Sequence, residues 1–379
     1  MICPYQNICG GCPLRSLSDA EYRQHKIERF EKIIACIKQE NIYVGEPIFI
    51  ADGLRRRAEF TFRLQKGKLL FGFNAQQSHD IIDTQKCLAI TQALNDSLPA
   101  VREFLQNFMQ IPLTQKVKNK ITTSYINKGE IWLTQAANGL DILLETDADI
   151  SLQHRMEICD FANNNPTVIR FSVGAKNTRP ETVLEKTKPY IDVCGRHVFI
   201  PAGTFLQASQ EGQNALTSLV LKYTGNTTGN IADLFCGVGT FSYPLAANIK
   251  NKITSVDSSA ELLDNFQQTV NYFTIPNIKI IKKNLFKYPL EATELKEFEL
   301  VIFDPPRAGA ALQTAQFKHL PTEDKPQKVI AISCNPHTFI NDANSLLESG
   351  YELKEITMVD QFVYAEHFEL VALFEKQII

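Results

Sequence analysis

The C-terminal half of the chain alternates short apolar runs with stretches of helical pattern. Runs at 230–236, 253–257, 278–282, 298–304, 327–333, 352–358 and 367–375 are dominated by Ile, Val, Leu and Phe. Such near-continuous apolar runs mark strands covered on both faces. Segments such as 258–272 and 336–349 lie between them and carry the helical pattern. Strand–helix alternation predicts a parallel, doubly wound sheet. Only Val359 to Glu366 joins the last two runs. That link is too short for a helical crossover, so this pair should be antiparallel.

The first half has a different texture. Ser18 with Glu21 three residues on has capping-box spacing and predicts a helix over about 18–40. The run Glu59 to Leu64, then Gly67, then Leu69 to Phe73, reads as a β-hairpin. Strand-like runs follow at 121–135, 140–146, 167–173 and 197–200. The pattern predicts two domains: a β-rich α+β domain over 1–200 and a Rossmann-like α/β domain over 201–379. The boundary falls near Pro201-Ala202-Gly203, and the 18–40 helix is a candidate to pack on the second domain. A length of 379 residues suits two domains.

Composition narrows the class. The chain is 44% hydrophobic and 21% charged, an ordinary globular balance. No apolar run approaches the roughly 18 residues of a membrane span, and the N-terminus lacks a basic-then-apolar signal sequence. A monomeric cytoplasmic protein is expected, with its nine cysteines reduced or metal-bound. A net charge of -3 gives no global attraction for nucleic acid, so any RNA surface must be a local patch. Residues 54–73 are one candidate: Arg55, Arg56, Arg57, Arg63, Lys66 and Lys68 stand against Glu59, interleaved with Phe60, Phe62, Phe71 and Phe73. Period-2 alternation places the phenylalanines in the core and the charges on a solvent face. Lys116, Lys118 and Lys120 alternate in the same way.

The chemistry concentrates at strand ends. Asp233-Leu234-Phe235-Cys236-Gly237-Val238-Gly239-Thr240 is a strand, a glycine turn and a helix start, and the next strand ends in Asp257. A carboxylate there can hold the ribose hydroxyls of a nucleoside cofactor. With only two glycines and no pyrophosphate cradle, S-adenosylmethionine fits better than NAD. Phe303-Asp304-Pro305-Pro306-Arg307 brings an acid to a rigid strand-end bend, and Ser333-Cys334-Asn335-Pro336 brings a thiol to the start of a helix. The field of that helix should lower the thiol pKa. Together these strand ends suggest an S-adenosylmethionine-dependent methyltransferase with a cysteine nucleophile. That chemistry suits carbon 5 of uracil, which becomes nucleophilic only after addition at carbon 6. Glu369 enters an apolar strand, either at an exposed start or as a buried base with a raised pKa, with His367 two residues away on the same face. Cys3, Cys9 and Cys12 have C-x5-C-x2-C spacing, and Cys87 follows a turn. Four such thiols suit an iron–sulfur cluster, with zinc or unligated cysteines as the alternatives. Cys36, Cys159, Cys194 and Cys236 read as core residues.

With these residues assembled, the chain resembles the bacterial RNA uracil-5-methyltransferases over essentially its whole length. The motifs that carry the resemblance are Asp233 to Phe241, Asp304 to Gly309, Ser333 to Thr338 and His367-x-Glu369. The four cysteines, with no room before them for a TRAM domain, are similar to the short 23S ribosomal RNA enzymes of the family. The resemblance implies that Cys334 is the nucleophile and that Glu369 removes the carbon-5 proton. It implies that Gln207, Phe241, Asp257 and Asp304 lie at the cofactor or the target base. It also implies a [4Fe–4S] cluster on Cys3, Cys9, Cys12 and Cys87 and 23S ribosomal RNA as partner, with transfer RNA the alternative. Ser209 departs from the family's usual Gln-x-Asn, and Phe362-Val363-Tyr364-Ala365 from its usual Phe-Pro-His-Thr. An exocyclic-amino methyltransferase and a non-catalytic iron–sulfur RNA-binding protein are the rivals. Arg307 in place of a stacking aromatic argues against the first, and Cys334 with Glu369 against the second.

Overall fold

The computed structural model describes residues 2–117, 120–176 and 178–377, without the side chains of 115–121. Lys118 therefore lies outside the described residues, as do the side chains of Lys116 and Lys120. The chain divides into two compact units, each discontinuous in sequence. One comprises Met1–Ser16, Ala51–Ile191 and Ile200–Ser209; the other comprises Leu17–Ile50, Asp192–Phe199 and Gln210–Ile379. A single boundary near 200 therefore does not describe the division.

The second unit is built on a nine-stranded sheet. Its principal strands are β1 (Asn230–Leu234), β2 (Lys252–Asp257), β3 (Ile278–Lys282), β4 (Leu300–Phe303), β5 (Lys328–Ser333), β6 (Tyr351–Asp360) and β7 (Glu369–Lys376). They lie in the order β6-β7-β5-β4-β1-β2-β3. All neighbours are parallel except β7, which runs antiparallel to both β5 and β6. The short strands Tyr43–Val44 and Ile48–Phe49 add to the β6 edge. Two residues each give no periodicity to read, so the sequence pattern did not reveal them. The chain reverses direction between β1 and β4, the point where such sheets bind ligands beyond their carboxyl ends.

The first helix of this unit is Asp19–Ile34, closed at its start by the Ser18–Glu21 capping box. It stops short of residue 40. The apolar signal continues only because Ile37, beyond the last helical turn, is buried with Phe30 and Ile33 in the same core as Val329, Ile356, Phe368 and Leu370.

The first unit holds a seven-stranded sheet. Its central hairpin is Arg57–Gln65 with Lys68–Asn74, and the helix Gln92–Phe108 sends Leu94, Leu98, Val101 and Leu105 into the core. Phe60, Phe62 and Phe71 are fully buried, as alternation requires. The basic face is smaller than expected. Arg63, Lys66 and Lys68 are exposed, but Arg56 is buried and its Nε donates to the Gln207 carbonyl oxygen at 3.1 Å. Arg57 lies 4.0 Å over the Trp132 ring and donates to the Gly203 carbonyl. Of the four cysteines read as core, Cys236 is buried and Cys159 partly so, while Cys36 and Cys194 are exposed.

Candidate active site

The carboxyl ends of β1, β2, β4 and β5 and the start of β7 carry the chemistry-bearing residues of the second unit. Strand β5 pairs with β7 so that Ser333 faces Leu370. One step further, that register sets Cys334 against Glu369. Strand β4 lies on the other side of β5 and hands over directly to Asp304, whose backbone N–H donates to the Leu234 carbonyl at 3.3 Å. Three sequence-distant groups thus meet at adjacent strand ends.

Their electrostatics follow from that meeting. Glu369 is the first residue of its strand yet is 3% exposed. Burial first, then the neighbouring Asp304, pushes its carboxyl up to about 8. The Gln361 amide donates to its Oε1 at 3.1 Å, and Oε2 has no hydrogen-bond partner among the described residues. Asp304 keeps part of its surface exposed, and burial of its carboxyl raises it to about 7. The Cys334 thiol is raised to about 11, by burial first and then by Glu369 and Asp304, with Arg307 opposing them. This corrects the expectation of a lowered thiol pKa. A helix terminus contributes only a fraction of a charge, and here it faces two carboxyl groups in a half-buried site. His367 is exposed and precedes the strand, so it does not share a strand face with Glu369.

The loop after β4 is tied to the helix Pro336–Glu348. Asn335 caps that helix through the His337 N–H and donates its side-chain amide to the Arg307 carbonyl at 2.7 Å. Gly309 has φ +76, and a Cβ there would lie 2.7 Å from Thr338 Cβ, so the loop and helix approach as closely as backbone permits.

The glycine turn after β1 has the form a nucleoside cofactor needs. Phe235 adopts φ 59, a strained conformation that persists where surroundings enforce it. Gly237 has open space where a Cβ would stand, while a Cβ on Gly239 would strike the Phe266 ring at 2.5 Å. Asp257 closes the turn: its carboxylate accepts the Gly237 N–H at 3.0 Å and the Ser259 N–H at 2.9 Å. Phe241 is buried at the start of the helix Ser242–Ala246. Asp233 is fully buried, accepts a hydrogen bond from the Ser242 hydroxyl, and is raised by burial to about 7. Gln207 is buried in the first unit. Gln361 escaped the sequence reading. Its one signal is a buried amide directly after the apolar run of β6.

In the first unit Cys3, Cys9, Cys12 and Cys87 line one cavity with Arg15. Burial raises the Cys9 and Cys87 thiols, and Cys12 is among the groups opposing their ionisation. The Gly11 N–H points at Cys9 Sγ at 3.5 Å and Arg15 at Cys12 Sγ at 3.9 Å. Thiols are the donor type that structural zinc and iron–sulfur sites use. Among the described residues, however, no three His, Cys, Asp or Glu side chains are arranged as a ligand set. No described helix is long and apolar enough to cross a membrane.

Comparison with known proteins gives the chain's family. The family described as tRNA (Uracil-5-)-methyltransferase matches residues 19–377. An uncharacterized RNA methyltransferase of Rhizobium meliloti is 32% identical over 97% of this chain and 82% of its own length. One from Agrobacterium fabrum is 31% identical with the same coverage. The 23S rRNA (uracil(1939)-C(5))-methyltransferase RlmD of Aliivibrio fischeri is 26% identical over 99% of this chain and 82% of its own. Among solved structures, the Pyrococcus abyssi tRNA (uracil-54, C5)-methyltransferase in complex with S-adenosyl-L-homocysteine is similar in fold. Its TM-score is 0.70 at 17% identity, over 98% of this chain and 86% of that one.

Proposed function

Since this chain belongs to the tRNA (uracil-5-)-methyltransferase family and is an S-adenosylmethionine-dependent RNA methyltransferase, we propose that it methylates carbon 5 of a uridine in 23S ribosomal RNA. The observation that carries this reading is the thiol of Cys334 set beside the buried carboxyl of Glu369 at neighbouring strand ends. An enzyme acting on an exocyclic amine needs no such thiol.

S-adenosylmethionine, when bound, would supply a methyl group from a sulfonium centre, whose sulfur would keep the bonding pair and leave as a neutral thioether. Asp257, Phe241 and the glycine turn are the residues suited to hold it, with Gln207 and Asp304 assigned to the cofactor or base by the resemblance. Cys334 gives up its proton to solvent and adds to C6 of the flipped-out uracil, so that the electron pair of the C5–C6 bond moves toward O4. Asp304 orients the ring or steadies that charge. Carbon 5 takes the methyl group while still carrying its proton. Glu369 removes that proton, the C5–C6 double bond re-forms, and the Cys334 thiolate leaves. Glu369 then releases the proton to solvent, the Cys334 thiolate takes one up from solvent, and the enzyme regains its starting state.

The ribosomal target rests on the likeness to the Aliivibrio fischeri protein across nearly the whole chain. A transfer RNA uridine is the second reading, favoured by the family name and by the Pyrococcus abyssi structure. Cys3, Cys9, Cys12 and Cys87 would hold a [4Fe–4S] cluster, a reading supported by the cavity they share. The deciding experiment maps 5-methyluridine in both RNAs from cells with and without the protein, alongside a Cys334→Ala variant. Loss of one 23S rRNA mark in both deletion and variant is expected. A missing tRNA mark instead selects the second reading, and 5-methyluridine formed by Cys334→Ala overturns the mechanism.

A further inference from the structure

The loop 361–368 connects β6 to β7 and delivers Glu369 to the site. Three buried residues outside the catalytic set hold it, beside the partly exposed pairs of Glu366 with His25 at 3.2 Å and Arg29 at 2.8 Å. Lys26, on the helix Asp19–Ile34, has a fully buried side chain. Its ammonium donates to Asp360 Oδ1 at 2.9 Å, at the start of the loop, and to the His367 carbonyl at 2.6 Å, at its end. One cation thus spans both ends of the connection. Tyr22, one helical turn away, donates its hydroxyl to Asp360 Oδ2 and accepts the Tyr364 N–H at 3.0 Å, in the middle of the loop. Tyr364 itself sits at φ 59, a conformation costly for a bulky residue and kept only where the surroundings over-determine it. Its ring packs on Tyr22 at 4.7 Å between centroids. Gln361, the residue after Asp360, is the one that donates to Glu369.

A buried ion pair is weak evidence for stability, because desolvation offsets most of the Coulomb attraction. The helix is docked without it, since Phe30 and Ile33 already lie in the core of this unit. What the pair adds is direction: the Lys26 ammonium bonds both the residue just before the loop and the His367 carbonyl near its end.

We propose that Lys26, Asp360 and Tyr22 are positioning residues that clamp the loop 361–368 and so fix the carboxyl of Glu369 against Cys334. The inference rests on the reading of Glu369 as the base. Misplacing a catalytic group by about 1 Å can cost on the order of a hundredfold in rate, so the clamp should act on turnover rather than on cofactor binding.

The test compares wild type with Lys26→Met/Asp360→Leu, which removes the clamp without leaving an orphan charge, and with Tyr22→Phe, which keeps the ring. Hydrogen–deuterium exchange of 361–368, melting temperature, S-adenosylmethionine affinity, kcat and KM for RNA are measured. The double variant should melt within a few degrees of wild type and bind cofactor normally. Its loop amides should exchange faster, its kcat should fall at least tenfold, and a denaturation-resistant RNA–protein adduct should accumulate because elimination stalls. Tyr22→Phe should show the same signature with a smaller loss of kcat, and it decides the matter if the double variant does not fold. Wild-type kcat with unchanged loop exchange in the folded variants overturns the clamp. Normal turnover by Glu369→Gln without adduct instead overturns the base reading, and leaves the exchange result to judge the clamp alone.

Discussion

A carboxyl group held near pH 8 by burial is a poor contributor to stability and a good acceptor for a carbon-bound proton. Glu369 shows both consequences. Its carboxyl rises from the ordinary 4.5 to about 8, so the folded state binds a proton more tightly than the unfolded state. The stability this contributes is complete below the unfolded value and is lost as pH rises through the folded one. Glu369→Gln should therefore gain on wild type between about pH 4.5 and 8, and be the more stable of the two by pH 8.5, with the higher Tm. Thermal melts across pH check this, and a variant that loses stability at high pH contradicts it. For catalysis the sign is opposite: Glu369 must be ionised to accept the carbon-5 proton, so product formation should rise with pH through about 8. In Glu369→Gln the methylated adduct through Cys334 should accumulate and survive denaturation, since the amide cannot accept that proton. Mass spectrometry of the cross-linked peptide measures it. The sequence disclosed the identities of Cys334 and Glu369 through their strand-end settings. It could not disclose the sign of the thiol shift, because that depends first on burial and then on two carboxyl groups brought beside it by β4 and β7.

At the scale of elements, the sheet was legible because its strands are buried on both faces and leave continuous apolar runs. Strand β4 is the clearest case, with all four residues buried. The antiparallel β7 followed from the shortness of its connection. The pieces that escaped detection are those whose signal is tertiary: the two-residue strands at the β6 edge, and the clamp on the loop 361–368, whose partners lie more than three hundred residues apart. The two glycines of the cofactor turn carry unequal constraints. Gly239 combines φ +92 with the Phe266 ring at 2.5 Å from any Cβ, whereas Gly237 faces open space. Gly239→Ala should lose about 1–3 kcal/mol of stability together with most S-adenosylmethionine binding. Gly237→Ala pays only for its φ of +55 and should fold near normally, with its added methyl weakening cofactor affinity. Calorimetric melts with titration of the cofactor separate the two, and equal destabilisation would contradict the assignment.

At the scale of the whole molecule, the division into discontinuous units has a physical origin in burial. The helix Asp19–Ile34 carries Tyr22, Phe30 and Ile33 toward the second unit's core, whereas the segment before it has little apolar surface to bury. Up to Ser16, Leu14 is its one buried hydrophobic residue among those described. That segment joins the rest of the first unit by a few backbone bonds, such as Gly10 N–H to the Asn74 carbonyl and Gln76 N–H to the Ile8 carbonyl, by the Arg15–Asp52 ion pair, by the Gln85 N–H to the Tyr5 hydroxyl, and by the cavity its three cysteines share with Cys87. So little burial cannot offset the backbone entropy of ordering the segment, roughly 1 kcal/mol or more per residue. A cluster bound by the four thiolates would supply the missing free energy, as metal binding does in other small sites. Protein purified without oxygen should be brown and carry roughly four iron atoms per chain. Removing the iron with chelator and oxidant should raise hydrogen exchange over 2–16 and around Cys87. Stoichiometric zinc without iron refutes the cluster. Exchange over 2–16 that is slow in the metal-free protein refutes its anchoring role.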